Sequence, residues 1–115
     1  MKEDQEFWDY LKHLVMSSRV MVDRPRGSIH PNYDDMVYPM DYGYLDGTTS
    51  TDGDGIDVWV GSEPFEYLKE FICTVDLENK DVEIKLLLGC SHSEINKILD
   101  FHNQLSMRAF LVTKQ

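Results

Sequence analysis

Residues 52–60 read Asp-Gly-Asp-Gly-Ile-Asp-Val-Trp-Val and place three carboxylates within six residues. Only glycines and one isoleucine separate these carboxylates. Like charges at so short a spacing raise one another's pKa and destabilise a compact state unless positive charge lies between them. The segment therefore predicts a bound metal ion at the point where a loop leads into a strand.

The end of the same segment has the alternation of a β-strand. Ile56, Val58 and Val60 alternate with Asp57 and Trp59, so a strand with one apolar face is expected. Asp57 then points away from the core. Trp59 lies on the same non-apolar face, where we expect an exposed ring that covers the site or contacts another subunit.

An EF-hand loop or a solvated turn could also contain acidic residues at such close spacing. An EF-hand loop that starts at Asp52 has Asp57 at its sixth position, where glycine is required, and one that starts at Ser50 has Gly61 at its twelfth. Because neither register works and the flanks read as turn and strand instead of helices, the sequence disfavours an EF-hand. A solvated acidic turn remains the alternative to a metal site, since Asp and Gly are common in turns.

The composition is that of a folded domain, with 42% hydrophobic and 28% charged residues in a chain of 115. This length supports one core and is too short for two, so we expect a single domain over residues 1–115. No apolar run approaches the ~20 residues of a membrane-spanning helix, and the first residues lack the regions of a signal peptide. A soluble cytoplasmic protein without a membrane partner is expected.

The formal net charge of −10 argues against nucleic acid as a partner, because such binding requires a basic surface. A small anion is compatible with this charge, since divalent cations on the acidic residues would attract phosphate. Cys73 and Cys90 lack the spacing of a zinc site and are too few for a disulfide framework, so buried free thiols are expected.

Apolar periodicity predicts the other helices and strands. We expect a helix over residues 4–16 with Asp4 as its cap, and a second helix in which Ser91 and Glu94 form a capping box. Strands are expected at 20–22, 37–45, 56–60, 71–75 and 81–88, and residues 109–112 fit one more. The predicted fold class is therefore α+β and mainly β.

A β-hairpin is expected where residues 77–80 join two of these strands. Asp76 and Asp81 then face each other at its mouth. Glu83 and Lys85 share the strand face of Asp81. With the acidic loop, the hairpin pair makes a set of hard oxygen ligands, which points to Mg²⁺ or Mn²⁺ and not to zinc.

Two motifs occur in register upstream of the hairpin. Residues 52–57 are similar to a signature Asp-x-Asp-Pro-hydrophobic-Asp, and residues 38–44, Tyr-Pro-Met-Asp-Tyr-Gly-Tyr, are similar to Tyr-Pro-x-Asn-Tyr-Gly-Tyr. Together they resemble the soluble (family I) inorganic pyrophosphatases, of which this chain looks like a short divergent member. The resemblance implies an OB-like five-stranded β-barrel with an N-terminal and a C-terminal helix.

The resemblance also implies Mg²⁺-dependent hydrolysis of inorganic pyrophosphate to two phosphates, with Mn²⁺ as another cation, and association into homo-oligomers. A metal-activated water would be the nucleophile, and a carboxylate would act as its general base. The implied roles are metal binding by Asp52, Asp57, Asp76 and Asp81, catalysis by Asp54 and Tyr42, and phosphate binding by Arg24, Arg26, Tyr38, Lys85 and His102.

The chain departs from the family pattern mainly at its cationic residues. Gly55 replaces proline in the acidic motif, and Glu83 stands where the family has lysine. Lys85 lies two residues further on the same face, about 13 Å from Asp81 along the strand. Residues 102–103, His-Asn, replace a Tyr-Lys pair.

Three functions are compatible with this pattern. The first is a pyrophosphatase, and the second is a metal-dependent hydrolase of another small phosphoanhydride or phosphoester. The third is a non-catalytic module that binds metal and phosphate. Asp54 favours the two enzymes, because binding alone does not require a general base.

Overall fold

The computed structural model describes residues 2–66 and 68–115, and these ranges contain two helices and six strands. In chain order the elements are α1 (Lys2–Met16), β1 (Arg19–Arg24), β2 (Asp41–Asp46), β3 (Ile56–Val60), β4 (Glu70–Asp76), β5 (Asp81–Leu88), α2 (His92–His102) and β6 (Met107–Thr113). The predicted class, α+β and mainly β, is confirmed. Residues 109–112 belong to a strand, as their sequence suggests.

The described strands form one sheet in the order β1-β2-β3-β5-β4-β6. β3 and β5 run parallel, and the other neighbouring pairs are antiparallel. The fold class fits the prediction, but a closed five-stranded barrel is wrong for the described part of the chain. β6 adds to β4 as a sixth strand, and the described sheet is open because its edge strands, β1 and β6, do not pair with each other.

Local signals at the helix ends are partly confirmed. Ser91 caps α2, and the Ser91 and Glu94 side chains each accept a hydrogen bond from the other's backbone amide. Asp4 is not a cap, because α1 already includes Lys2, a good helix former, and Asp4 lies inside the helix. In the ranges that the structure describes, no helix has both the length and the apolar character to cross a membrane.

A helix covers each face of the sheet. Val58 and Trp59 point to opposite faces, as neighbours in a strand do, and they belong to different core clusters. The cluster beside α2 contains Tyr38, Met40, Trp59, Ile72, Leu87, Cys90, Ile95, Ile98 and Phe101. The cluster beside α1 contains Trp8, Val15, Leu45, Val58, Leu68, Phe71, Leu86 and Leu88. We call the side of the sheet that carries Trp59 the α2 face.

This two-sided burial corrects the prediction for Trp59. Its side chain is 0% exposed, whereas an exposed ring was expected from the alternation. The expectation is wrong because α2 covers the face that the pattern suggested to be open. Both thiols are free, as predicted. Cys90 is buried, whereas Cys73 is only partly buried and departs from the prediction in this respect.

A bulge in β1 sets the side chain that faces Tyr42. Val22 pairs with Gly43, but the next residue of β2, Tyr42, pairs with Arg24, so Asp23 is the extra residue. β1 runs very close to Gly43, because a Cβ atom there would clash with the carbonyl oxygen of Met21. The bulge thus brings a cation, instead of Asp23, across from Tyr42.

Candidate functional site

A cleft of about 370 Å³ opens at the α2 face. Its size suits a small ligand. Of the predicted site residues, the described lining includes Tyr38, Tyr42, Asp76, Lys85 and His102. The lining does not include Arg24, Arg26, Asp52, Asp54, Asp57 or Asp81. The structure therefore brings together the predicted phosphate ligands better than the predicted metal ligands.

The strand register places acidic side chains in a row on the α2 face. Asp57 lies directly across from Lys85 on the parallel strands β3 and β5, and Asp76 lies across from Asp81 in the hairpin. Glu83 stands on β5 between Lys85 and Asp81. Because side chains that face each other in a ladder point to the same side, these residues share one face. The Asp57–Lys85 pair and the Asp76–Asp81 pair are about 13 Å apart along β5.

Lys85 is the buried cation of this row. Its Nζ atom donates to Tyr42 Oη at 2.7 Å, to Asp57 Oδ2 at 2.9 Å and to Glu83 Oε2 at 2.9 Å. Burial lowers the pKa of Lys85, but its interactions with Tyr42 and Asp57 outweigh this effect and raise the pKa above its ordinary value. An ammonium has three N–H donors, and all three are used. A phosphate could contact Lys85 only by replacing one of these acceptors.

Tyr42 and Tyr38 form the aromatic wall of the cleft. Tyr42 packs on Trp59 with ring centroids 4.7 Å apart, and Tyr38 packs on Phe101 at 4.9 Å. Burial raises the pKa of both tyrosines, so both hydroxyls are neutral. Tyr42 Oη accepts from Lys85 and keeps its own hydrogen. That hydrogen is donated to Asp57, which also raises the pKa of Tyr42, so an anion in the cleft would have to replace the carboxylate to accept it.

His102 is held as a neutral side chain at the end of α2. Its Nε2 atom accepts from Trp59 Nε1 at 3.0 Å, and its Nδ1 atom lies 3.2 Å from Met107 Sδ. Burial and the charge of Lys85 lower the pKa of His102 to about 3. The accepted bond leaves the proton on Nδ1, which points at the sulfur. The residue lines the cleft as predicted, but both ring nitrogens have partners in the protein.

Asp76 is tied to the hairpin turn. Its Oδ1 atom accepts from the backbone amides of Glu78 and Asn79 at 2.9 and 3.2 Å, and from Ser106 Oγ at 3.2 Å. The residue is buried, while Asp81 across the ladder is half-buried. These bonds organise the turn, and they position one carboxylate of the predicted metal pair against the cleft.

The acidic loop between β2 and β3 is a hydrogen-bonded turn. Asp52 Oδ1 accepts from Ser50 Oγ and from the amide of Asp54. These bonds, with a smaller contribution from Glu83 on β5, lower the pKa of Asp52. Asp52 and Asp54 are both exposed. In this conformation the loop is a solvated acidic turn, which is the alternative to a metal site that the sequence allows.

Arg24 approaches the cleft and Arg26 does not. The β1 bulge puts Arg24 across from Tyr42, and its charge contributes to lowering the pKa of His30 after partial burial of that ring. His30 itself lines the cleft and stacks on Tyr38 with an interplanar angle of 5°. Arg26 is exposed, and its backbone amide donates to Asp41. Arg24 is thus the better placed of the two predicted phosphate ligands.

The predicted metal ligands have the right chemistry but are not gathered around one point. All are carboxylates, which suit Mg²⁺ or Mn²⁺. Across residues 2–66 and 68–115, no three acidic, histidine or cysteine side chains converge closely enough to hold an ion. The carboxylate of Asp57 is paired with Lys85. A divalent cation therefore fits poorly at Asp57, and the hairpin carboxylates Asp76 and Asp81 are the better candidates to bind one.

Two features of the site were not recognised from the sequence. The first is the ion pair between Glu83 and Lys85. The sequence indicated that both residues share the strand face of Asp81, but not that they contact each other. Thr74 faces Glu83 across β4 and β5, is buried, and its Oγ1 has no hydrogen-bond partner within the described residues. A lone threonine in a strand gives no sequence signal of this kind.

The model of the inorganic pyrophosphatase family matches residues 9–76. A solved inorganic pyrophosphatase from Helicobacter pylori is similar, with a TM-score of 0.56 and 16% identity over 84% of this chain and 82% of that one. One from Coxiella burnetii has a TM-score of 0.52 and 15% identity over 82% of each chain. An inorganic phosphatase from Anaplasma phagocytophilum has a TM-score of 0.51 and 14% identity over 82% of this chain and 81% of that one. No curated protein matches by sequence.

Proposed function

Because the chain belongs to the inorganic pyrophosphatase family, we propose that it hydrolyses inorganic pyrophosphate to two phosphates. The observation that carries the proposal is the family match over residues 9–76. This segment includes both sequence motifs, β1 with its bulge, and Asp76 of the cleft. The likeness to solved structures supports the same fold.

The residues of the cleft supply binding and orientation. Tyr42 and Tyr38 present neutral hydroxyls, and Arg24 adds positive charge at the rim. Water attacks one phosphorus atom, and the bridging P–O bond breaks to release the other phosphate. Asp54 is the general base that the family resemblance implies. It lies exposed on the acidic loop, outside the described lining of the cleft, so the loop would have to approach the bound pyrophosphate.

A divalent cation is part of this proposal, with Mg²⁺ first and Mn²⁺ second. When bound, it supplies positive charge for the phosphate oxygens and makes water more acidic. The hairpin carboxylates Asp76 and Asp81 are its leading ligands. The family resemblance also implies Asp52 and Asp57 as ligands, but the carboxylate of Asp57 is already paired with Lys85. Lys85 and His102 remain proposed phosphate contacts, but each would have to exchange a partner in the protein.

Phosphate release from pyrophosphate in the presence of Mg²⁺ tests the proposal. We expect the wild type to release phosphate and Asp54→Asn to release at least 100-fold less, because general base catalysis contributes about that factor. Asp4→Asn is the matched control, since Asp4 is an exposed carboxylate on α1. Equal rates in the wild type and Asp54→Asn would contradict the role of Asp54.

One observation favours a second candidate, a module that binds metal and phosphate without turnover. All three donors of Lys85 are used by protein oxygens, so the cleft offers fewer free cationic donors than its sequence suggests. Calorimetry separates the two functions. Binding of pyrophosphate with Mg²⁺ and no released phosphate would favour the module, whereas release of phosphate supports the enzyme.

A further inference from the structure

The oxygens around Lys85 are arranged like the ligands of a cation, and the cation that they surround is the ammonium of Lys85. Three oxygens surround its Nζ atom at 2.7 to 2.9 Å, from one tyrosine and two carboxylates. The Lys85 residue is only 4% exposed, while the side chains of Asp57 and Glu83 are 28% and 24% exposed. The ammonium is therefore the inner member of the group.

We propose that the ammonium of Lys85 takes the place of a divalent cation at Asp57, so that Asp57 binds no metal ion in this protein. Divalent cations would then bind elsewhere, with the hairpin carboxylates as the leading ligands. The inference rests on the proposed function for the identity of the anion in the cleft. The assignment of Asp57 and Lys85 to each other does not depend on turnover.

The backbone fixes this ion pair. Asp57 and Lys85 lie directly opposite each other on neighbouring parallel strands in the middle of the sheet. The Nζ atom also lies 5.3 Å from the centroid of the Tyr42 ring, which closes another side of the group. Unlike a lysine on the surface, Lys85 is held by the strand register and by the side chains around its ammonium.

Charge balance disfavours a second cation at the same place. Asp57 and Glu83 carry two negative charges, and Lys85 compensates one of them. A divalent ion on Asp57 would either add positive charge beside the ammonium or displace it, and displacement would leave a buried charge without its partners, a costly arrangement. Removing the charge of Lys85 has the opposite effect, because two carboxylates and one hydroxyl oxygen would then be free for an ion.

Lys85 also acts on the cleft through Tyr42. A hydroxyl that accepts a bond from an ammonium becomes a stronger donor, because hydrogen bonds in a chain polarise one another. The hydrogen of Tyr42 is directed at Asp57, so this stronger donor helps to hold the carboxylate in place beside Lys85. In this arrangement Lys85 is a positioning residue for Tyr42.

Counting bound Mn²⁺ by electron paramagnetic resonance tests the inference without an activity assay. In the wild-type background, Asp57→Asn should leave the number of bound ions unchanged. Lys85→Met should gain one ion, and Lys85→Met with Asp57→Asn should lose it again. Lys97→Met, an exposed lysine of α2, is the control and should match the wild type. Loss of one ion in Asp57→Asn alone would overturn the proposal, as would a folded Lys85→Met that gains none.

Acylation of lysines by acetic anhydride keeps the test open if Lys85→Met does not fold. In the wild type, mass spectrometry should find Lys85 protected with and without Mg²⁺, and Lys80 in the hairpin turn modified in both. Modification of Lys85 that appears only with Mg²⁺ would show that the ion displaces it and would overturn the inference. Since neither readout requires hydrolysis, a failed phosphate-release assay would count against the proposed function alone.

Discussion

Buried polar side chains on the α2 face satisfy one another. Lys85 is held by three oxygens, and His102 accepts from the indole of Trp59. Buried polar groups without such partners are costly, so these contacts explain how a face rich in charged residues also forms a core. Thr74 is the exception, because its buried hydroxyl has no partner within the residues described.

His102 should make stability depend on pH. Its pKa is about 3 in the folded protein and near 6.5 when unfolded, so its contribution is complete above pH 6.5 and is lost as the pH falls towards 3. Between pH 7 and 5 the wild type should lose about 2 kcal/mol more of its unfolding free energy than His102→Gln. Urea denaturation at both pH values measures the difference.

The control for this pH effect is His13→Gln. His13 lies exposed in the last turn of α1, so its replacement removes a histidine without touching the buried cluster of His102. An identical loss of stability in the wild type and His102→Gln would show that His102 becomes protonated in the folded protein as easily as in the unfolded chain.

Thr74→Val should stabilise the protein by about 1 kcal/mol, because it removes a buried hydroxyl that has no partner. Valine has nearly the same shape, so the packing is retained. Urea denaturation measures the change, and Thr51→Val, on the exposed loop, should have almost no effect. A loss of stability on Thr74→Val would mean that the hydroxyl has a bound partner in solution.

At the scale of the elements, α2 is fixed by its own sequence. The capping box of Ser91 and Glu94 satisfies amides at the helix start, and this is a local signal that needs no tertiary contact. The same helix carries Phe101 and His102 into the cleft. The position of Phe101 and His102 in the cleft therefore depends on where α2 begins.

Ser91→Ala should lower the unfolding free energy by about 1 kcal/mol, since it removes the side-chain acceptor at the helix start. Ser93→Ala is the matched control, because Ser93 is exposed within the first turn and is not the cap. Urea denaturation of the three proteins compares them. Equal stability of both variants would contradict the importance of the cap.

The sequence predicts features that depend on neighbouring residues more accurately than features that depend on contacts between distant segments of the chain. The α2 cap and the bounds of β5 depend on neighbouring residues and are confirmed. Trp59 was placed wrongly, because alternation along one strand does not reveal that a distant helix covers its polar face. The pairing of Lys85 with Asp57 depends on the parallel register of β3 and β5, which no local pattern contains.

On the scale of the whole molecule, the charges are divided between two places on the α2 face. One group, around Lys85, carries its own cation, and the other, at the hairpin, consists of Asp76 and Asp81. The cleft lies beside both, with Arg24 near its rim. A protein with a net charge of −10 can bind a small anion there only if local positive charge exceeds the overall repulsion.

Hydrolysis of pyrophosphate in water enriched in ¹⁸O is the most direct measurement. With Mg²⁺ present, phosphorus NMR should show the pyrophosphate signal replaced by phosphate, and the products should contain one ¹⁸O atom for each molecule hydrolysed. That label would establish that water attacks phosphorus and that the P–O bond breaks. Unchanged pyrophosphate, from folded protein that binds it with Mg²⁺, would contradict the proposed function.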